Sequence, residues 1–360
     1  MVVGAVHCGS DHSGGGGEAG GAASSVVMGG SSASAGANPG GGRSADAAGG
    51  TASSQSGLAQ KYPCDVGIEN DPAFLFKEDF EEDSVSSLVV RYSDHNGEPG
   101  SMALTADTPN QSCGKASGRF TASSSATTSS LFRQISGIDD IYYSSYVKYQ
   151  AGTTWHHTGL SIKGYNPPSP WPLGLAGLKP NGDDSFSVAL EPVFGVGSPN
   201  PRLDVYAYWM KMRSWMDQPE GDQAYYGNSL VHQNAFTADD DSWICVELHL
   251  QLNTDTSSST GAVLDLWKND VLVQHFDDQA PLGCWIKDKF CPVGADGAEC
   301  TDYPSLCLEP YLPPDLQWRS TTALQVTGIG FGNYITEGAA GSVEFDDLVV
   351  AKARLGCIQR

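Results

Sequence analysis

The amino-acid sequence predicts an all-β fold, a jelly roll or β-sandwich of two antiparallel sheets preceded by a disordered tether. From residue 74 onward, short runs rich in β-branched and aromatic residues are bounded by Gly, Pro, Asn, Asp or Ser. Helical periodicity is nearly absent between these runs, which favours two packed antiparallel sheets. No repeat of fixed period is visible, and this argues against a propeller.

The first 60 residues are the predicted tether, because Gly, Ala and Ser supply 17, 12 and 11 of them. Such a segment has too few large apolar residues to offset chain entropy. We expect flexible chain over 10–60 and a folded domain over 61–360. The opening M-V-V-G-A-V-H-C resembles the end of a truncated bacterial lipoprotein signal, with Cys8 as the lipidated residue. Alternatively, the protein is secreted and Cys8 is incidental.

Eleven segments are predicted strands because they are short apolar or alternating runs that end at turn residues. In chain order, the first six span 87–92, 129–135, 141–149, 158–163, 185–190 and 203–209. The last five span 243–252, 262–267, 271–276, 324–331 and 342–351. Before 271–276, Asn269 and Asp270 tolerate positive φ and are predicted to close a tight hairpin.

Two segments are predicted loops inserted into the sandwich. Residues 165–181 are too rich in Pro and Gly to pair as a strand. Long loops of this kind usually carry function or cover a sheet edge. Residues 284–307 hold four cysteines, so we expect a small flap held by disulfides.

The cysteines indicate an oxidising compartment. Eight of the nine lie beyond the tether, and this even number suggests four disulfides and a secreted or outer cell-surface protein. The four cysteines of the flap are alternatively a zinc site, although they lack the close C-x2-C pairs that wrap a tetrahedral ion. No run of about eighteen apolar residues occurs, so no membrane span is predicted.

The net charge of −22 argues against nucleic acid as a partner, because each neutralised phosphate needs a local cation. An anionic membrane surface is disfavoured for the same reason. A polyanionic sugar also has to approach this acidic chain, so its binding cleft would have to be locally basic. We expect a monomer.

The segments L-Q-V-T-G-I-G-F-G (324–332) and S-V-E-F-D-D-L-V-V-A-K-A-R-L-G-C (342–357) resemble the closing strands of the fungal cellulose-induced protein core family. D-F-E (79–81), H-N-G-E-P-G-S-M-A-L (95–104) and C-G-K (113–115) resemble its opening strand, the following turn and a cysteine-bearing strand. Y-V-K (146–148), W-I-C-V-E-L-H-L (243–250) and A-V-L-D-L-W-K-N-D (262–270) resemble its central strands. In order and spacing, the resemblance covers most of 76–357.

The resemblance implies a concanavalin A-like jelly roll, related in shape to polysaccharide lyases, with a structural calcium ion. Glu81, Asn96 and Asp346 match the family's calcium ligands, with Asn96 acting through its backbone carbonyl. Calcium binds hard oxygen ligands, and one ion between the first and last strands would stabilise the closure of the sheet.

The resemblance also implies a disulfide. Cys245 and Cys357 match a family pair, and the order of the remaining residues makes Cys64 with Cys113 the simplest complement. Within the flap, pairing stays open among Cys284, Cys291, Cys300 and Cys307.

The reaction expected of a lyase-like fold is β-elimination on a uronic-acid-containing polysaccharide. It needs a group that neutralises the carboxylate, a base that takes the C5 proton and an acid that protonates the leaving O4. Strand alternation places Tyr206 and Tyr208 on one face, while His156 and His157 precede a strand that carries Lys163. We predict either histidine as base or carboxylate neutraliser and either tyrosine as proton donor.

Several further residues are predicted to bind the substrate. They are Arg133, Tyr146, Lys148, Lys163, Trp171, Lys211 and Arg213. The family has an arginine in its central cleft strand, where this chain has S-F-S-V-A-L (185–190) without a cation. An electrostatic role there passes to Arg133, Lys211 or Arg213.

The alternative function is a non-catalytic carbohydrate-binding or cell-envelope adhesion module. Aromatic side chains around the predicted cleft would stack on sugar faces. Most of the tryptophans fit a buried core equally well.

Overall fold

The computed structural model describes residues 57–360 except 124, 154, 194–200, 216–224, 302–306, 308–310 and 336–339. Cys8 and the predicted tether up to residue 56 lie outside the described residues. A short helix, α1 (Leu58–Lys61), begins the described chain. The N–H of Leu58 donates to the carbonyl oxygen of Arg354 at 2.9 Å, so this residue, which precedes the predicted domain start at residue 61, contacts the C-terminal segment.

Two mostly antiparallel sheets account for nearly all of the described residues in regular structure. The eight-stranded sheet contains β1 (Phe74–Glu78), β3 (Met102–Thr105), β4 (Ser117–Ala122), β6 (Asp140–Tyr149), β11 (Trp243–Gln251), β12 (Val263–Lys268), β13 (Val271–Phe276) and β17 (Gly341–Ala351). The nine-stranded sheet contains β2 (Asp94–Gly97), β5 (Thr128–Ile138), β7 (His157–Tyr165), β8 (Ser185–Pro192), β9 (Leu203–Tyr208), β10 (Asn228–Ser229), β14 (Gly283–Ile286), β15 (Lys289–Pro292) and β16 (Val326–Tyr334). The short helices α2 (Val85–Val89) and α3 (Ala298–Thr301) and the 3-10 turns Pro63–Asp65 and Ile68–Asn70 lie in the connections.

Strand order confirms the predicted two-sheet fold. The eight-stranded sheet runs β13-β12-β11-β6-β17-β4-β3, with β1 also paired to β17. The nine-stranded sheet runs β14-β15-β10-β9-β8-β7-β16-β5-β2. The pairing of β1 with β17 places the first and last strands side by side. The predicted hairpin at Asn269 and Asp270 is also present, with φ of 50° and 65° between β12 and β13.

An apolar core lies between the two sheets. Phe331 of the nine-stranded sheet packs against Phe120 and Phe345 of the eight-stranded sheet, with ring centroids 5.3 and 5.1 Å apart. Along β7, Leu160 and Ile162 are buried in this core and alternate with side chains on the opposite face. Because the opposite face of the nine-stranded sheet does not contact this core, it can carry polar residues.

The prediction of a strand over 87–92 is wrong. Val85–Val89 form α2, and the Oγ of Ser84 caps it by accepting a hydrogen bond from the N–H of Ser87 at 3.2 Å. Ser at the N-cap offers a backbone hydrogen bond that competes with strand pairing, whatever the β propensity of the following residues. The segment 113–115, which resembles a cysteine-bearing strand of the family, is not a strand here but forms a bend before β4.

Four disulfides join the eight described cysteines. The pairs are Cys64–Cys113, Cys245–Cys357, Cys284–Cys307 and Cys291–Cys300. The first two are the expected pairs, and the last two resolve the open pairing of the flap. Since every flap cysteine is bonded to another sulfur, the zinc alternative is excluded. Four disulfides fit an extracellular protein.

The flap 284–307 is joined to the nine-stranded sheet. Its hairpin β14–β15 pairs in parallel with β10 through Ser229 and Lys289. Arg202 Nη1 donates to Glu299 Oε2 of α3 at 3.0 Å and holds the far side of the flap. None of the described helices is long and apolar enough to cross a membrane.

Candidate functional site

A cleft of about 310 Å³ opens on the face of the nine-stranded sheet that points away from the core. Its floor is lined by small residues of β7, β8 and β16, which leave room for a ligand. They are Gly159, Ser161, Ser187, Ala189, Gly330 and Gly332. The alternation that buries Leu160 and Ile162 turns these residues toward the cleft.

His157, Glu191, Tyr206 and Tyr208 meet at one end of the cleft. Nδ1 of His157 lies 2.9 Å from Oε1 of Glu191. The rings of His157 and Tyr206 have centroids 4.9 Å apart, and the two tyrosine hydroxyls lie 3.3 Å apart. The predicted convergence of His157, Tyr206 and Tyr208 is therefore present.

The environment moves the pKa values of this group. Burial acts to lower the pKa of His157, but the charge and hydrogen bond of Glu191 together exceed that effect and raise it. Burial raises the pKa of Tyr206 and of Tyr208, so both phenols stay protonated at neutral pH. The pKa of His156 falls to about 4 because of burial and the neighbouring His157.

Lys163 supplies an amine to the same cleft. Its Nζ donates to Oγ of Ser187 at 3.0 Å, across the pair of strands β7 and β8. Burial lowers the pKa of Lys163 to about 8, and Glu191 partly opposes this. An amine with such a pKa is a base available near neutral pH.

The predicted loop 165–181 forms one wall of the cleft. Its contribution comes from five consecutive residues, Pro172, Leu173, Gly174, Leu175 and Ala176. The N–H of Leu173 donates to Oη of Tyr165 at 2.9 Å, which fixes this wall to the end of β7. Trp171 is 56% exposed and lies beside the wall rather than in the lining.

Tyr146 and Lys148 lie away from the cleft. Both are on β6 of the eight-stranded sheet, where Tyr146 packs beside Cys245 and Lys148 Nζ lies 3.0 Å from Glu344 Oε2. Both were predicted to bind the substrate, but they lie on the other sheet and outside the cleft lining.

The predicted arginines and Lys211 also lie outside the cleft lining. The guanidinium of Arg133 lies 4.2 Å from the ring centroid of Phe76, so this side chain points away from the floor. Arg213 lies over the ring of Trp285 at 5.2 Å. Lys163 is therefore the one predicted lysine or arginine that lines the described cleft.

Glu191 was missed by the sequence analysis. It shares strand parity with Ser187 and Ala189 on β8, and all three line the cleft. The predicted strand ends at residue 190, one position before Glu191 and two before the observed end of β8. An acidic residue continuing the alternation of S-F-S-V-A-L-E was the available signal.

Of the predicted calcium ligands, Asp346 has the most unusual surroundings. It is fully buried on β17, where Oδ1 accepts from the N–H of Asp347 at 2.8 Å. Oδ2 of Asp346 and Oδ2 of Asp347 have no partner within hydrogen-bond geometry among the described residues, although the nearby Ser112 hydroxyl acts to lower the pKa of both aspartates. Burial, with the charge of the neighbouring aspartate, raises the pKa of Asp346 to about 9. Buried carboxylate oxygens without partners are a donor set that suits a hard cation.

The other two predicted ligands differ in their surroundings. Oε1 of Glu81 already accepts hydrogen bonds from the N–H groups of Lys115 and Ala116. Asn96 is exposed on β2 of the nine-stranded sheet, paired with Ser130. The calcium assignment of both residues stays a prediction.

A separate acidic group has oxygens within 4.8 Å of one another and consists of Glu78, Asp79 and Glu82. Arg91 forms ion pairs with Glu78 and Glu82 there. Arg91 offsets one of the three carboxylate charges, and Lys77, with Nζ 3.4 Å from Oδ2 of Asp79, offsets a second, so the group offers a metal ion little net charge.

No family model and no curated protein matches this chain. Among solved structures, alginate lyase Aly36B is 12% identical with a TM-score of 0.47, over 79% of this chain and 99% of that chain. Alginate lyase vAL-1 from Chlorella virus is 10% identical with a TM-score of 0.44, over 78% and 99%. Cellulose induced protein Cip1 is 16% identical with a TM-score of 0.38, over 78% and 99%. The resemblance to the cellulose-induced protein core family stays a prediction.

Proposed function

We propose that this protein is an extracytoplasmic lyase that cleaves a uronic-acid-containing polysaccharide by β-elimination in the cleft. The observation that carries the proposal is that His157, Lys163, Glu191, Tyr206 and Tyr208 all line one cleft, which thereby holds a cation, a base and an acid. The pKa of Lys163 is lowered, whereas those of Tyr206 and Tyr208 are raised. Such divergence allows one group to accept a proton and another to donate one.

Lys163 is the proposed base. With its pKa near 8, part of the side chain is a neutral amine that accepts the C5 proton of the uronate. The electron pair of that C–H bond forms a double bond between C4 and C5, and the bond from C4 to the glycosidic oxygen breaks. Tyr206 or Tyr208 donates a proton to the departing oxygen.

His157 is the proposed neutraliser of the substrate carboxylate. Its contact with Glu191 favours the imidazolium form, which carries the positive charge that the carboxylate needs. A neutralised carboxylate makes the C5 proton more acidic and stabilises the charge that develops in the transition state.

The test is to incubate the full chain with several uronans and to follow the ultraviolet absorbance of the unsaturated product. We expect cleavage of at least one substrate, with a rate that rises as pH passes through about 8. Lys163→Met is expected to lower the rate by about a hundredfold or more. Lys352→Met, which removes an exposed lysine at the end of β17, is the matched control and should keep the rate.

Two outcomes contradict this proposal at different levels. Absence of unsaturated product with every uronan ends the lyase assignment. An unchanged rate in Lys163→Met, while cleavage persists, removes Lys163 as the base.

A carbohydrate-binding or adhesion module is the second candidate. The observation that favours it is an array of rings in the cleft, where His157 and Tyr334 are parallel within 1° at 5.9 Å and Tyr206 lies beside them. Flat rings of this kind pack against sugar faces. Retention on insoluble polysaccharide without any product would favour this function over cleavage.

We also propose a structural calcium ion held by Glu81, Asp346 and the backbone carbonyl of Asn96, the ligands that the resemblance implies, with Asp347 beside Asp346. The unpartnered oxygens of the two aspartates support it, because a bound cation would offset their burial and mutual repulsion. Chelation is expected to lower the thermal unfolding temperature, and added calcium to restore it. In Asp346→Asn the calcium-dependent shift should vanish, whereas Asp94→Asn on β2 should retain it. A wild-type unfolding temperature that ignores both chelator and calcium would refute this site.

A further inference from the structure

Positive charge in the cleft comes from two side chains of β7. Among the described residues that line it, Lys163 is the only lysine or arginine and His157 is the only histidine. Glu191 contacts His157 at 2.9 Å, and its charge opposes the lowering of the Lys163 pKa by burial. The segments of 57–360 that the structure does not describe contain no lysine or arginine in their sequence. They therefore add no cation to the cleft.

Cations on the flanking segments are engaged elsewhere. Arg213 lies over the ring of Trp285 at 5.2 Å, outside the cleft lining. Lys179, on the loop that forms the wall, lies over the ring of Tyr225 at 5.4 Å. With Lys163 acting as the neutral base, the described lining keeps one cation, His157, rather than a row of them.

The wall of the cleft carries no charge. Residues 172–176 are Pro, Leu, Gly, Leu and Ala, and Leu173 is 42% exposed among them. An apolar wall packs well against the C–H face of a neutral sugar. It gives no compensation to a carboxylate that loses water on binding.

We propose that the substrate is a heteropolysaccharide in which an isolated uronic acid is flanked by neutral sugars. This refinement rests on the proposed lyase function. A homopolymeric uronan would place a carboxylate in every subsite, and those away from Lys163 and His157 would lie against uncharged groups. Each would lose hydration without a partner, within a chain of net charge −22. Neutral flanking sugars avoid this penalty and cover the apolar wall.

The test uses one glucuronan and a series made from it by partial chemical reduction of its carboxyl groups to alcohols. Reduction leaves isolated uronates between neutral sugars on an otherwise identical chain. We expect the rate of unsaturated product per remaining uronate to rise by about tenfold or more along the series, since the carboxylates that would lose hydration against uncharged groups are removed. A rate per uronate that stays level or falls overturns the proposal.

A charge variant tests the role of the wall directly. Leu173→Lys adds a cation to the lining and should raise the rate on the unreduced glucuronan relative to the reduced series. Leu178→Lys is the matched control, because Leu178 is 58% exposed on the same loop but lies outside the lining. Equal effects of the two variants would assign the preference to the net charge of the protein and overturn the proposal.

Failure of the lyase function is distinguishable from failure of this refinement. If no polymer of the series is cleaved, the lyase function fails, and affinity electrophoresis in gels that contain each polymer then measures binding alone. Stronger retardation by partly reduced glucuronan supports the proposed substrate class. Stronger retardation by the unreduced polymer, or retardation by neither, overturns it.

Discussion

Among the residues of the cleft, Glu191 affects the pKa of both His157 and Lys163. It is buried at the end of β8, and its carboxylate contacts Nδ1 of His157 at 2.9 Å. Burial favours the neutral forms of His157 and Lys163, whereas the charge of Glu191 favours their cationic forms. The carboxylate therefore decides how much positive charge the cleft holds near neutral pH.

Replacing Glu191 with glutamine should lower the pKa of His157 below its wild-type value. Burial and the charge of Lys163 both lower that pKa, and the variant removes the carboxylate that opposes them. Titration of the His157 ring protons by NMR measures the change. Glu98→Gln, which alters an exposed residue near β2, should leave the titration unchanged. An unchanged midpoint in Glu191→Gln would show that the ion pair does not govern this histidine.

A second group of charged residues lies on β11, β12 and β13 of the eight-stranded sheet. Asp265 lies between two histidines, with Oδ2 2.7 Å from Nδ1 of His249 and Oδ1 2.5 Å from Nδ1 of His275. Nε2 of His275 also lies 3.1 Å from Asp277. The hydrogen bond to Asp265 raises the pKa of His275 to about 9, with burial opposing it. Protonation of His275 is therefore coupled to the free energy of unfolding.

Stability should therefore fall as pH rises from about 6.5 to about 9. The pKa of His275 is higher in the folded chain than in the unfolded one, so the protonated ring stabilises the fold fully below the lower value. The gain disappears as pH passes the higher value. Because the side chain is 42% exposed, solvent screening limits the effect to about 1 kcal/mol or less.

Urea unfolding at several pH values measures this dependence. His275→Gln should flatten the fall in the free energy of unfolding between about pH 6.5 and about 9. His95→Gln changes an exposed histidine on β2 and serves as the control. A fall of the same size in His275→Gln and wild type would exclude this histidine as the source.

Alternation along a strand predicted part of the candidate site. Strand geometry alone places Tyr206 and Tyr208 on one face, and that prediction needed no knowledge of the second sheet. The same geometry could not assign Tyr146 and Lys148 to a sheet, because both sheets have a period of two. Pairing between distant segments decides that assignment, and a single sequence does not encode it locally.

At the level of elements, α2 depends on its N-cap. Ser84→Ala removes the acceptor for the N–H of Ser87 and should lower the free energy of unfolding by about 1 kcal/mol. Ser86→Ala, inside the same helix and exposed, should be neutral or slightly stabilising because alanine has the higher helix propensity. Equal losses in the two variants, measured by urea unfolding, would contradict the capping role.

Long strands were predicted well, and short strands were not. The segments 141–149 and 243–252 lie within a residue of β6 and β11, because both are long and buried on at least one face. Neither of the four-residue strands β2 and β3 has a buried residue, and β10 has only two residues. Such strands exist because a longer neighbour offers hydrogen bonds, and their own sequence carries little periodic signal.

At the scale of residues 57–360, the C-terminal segment is fastened to the middle of the eight-stranded sheet. Glu247 of β11 accepts hydrogen bonds from the N–H groups of Leu355 and Gly356 at 2.7 and 3.0 Å. The disulfide Cys245–Cys357 holds the same two segments together. With β1 paired to β17, both ends of this region are tied into one sheet.

The disulfide Cys245–Cys357 should therefore contribute more to global stability than Cys291–Cys300 of the flap. Cys245–Cys357 spans 112 residues, whereas Cys291–Cys300 spans 9 within the flap. A longer closed loop removes more conformational entropy from the unfolded chain, so replacing the first pair with alanine should cost about 5 kcal/mol and the second about 3 kcal/mol. Urea unfolding of the two double variants measures the difference, and the flap pair serves as the matched control for loss of a buried disulfide. Equal losses, or a larger loss from the flap pair, would mean that strain or residual structure rather than loop entropy sets the contribution of these bonds.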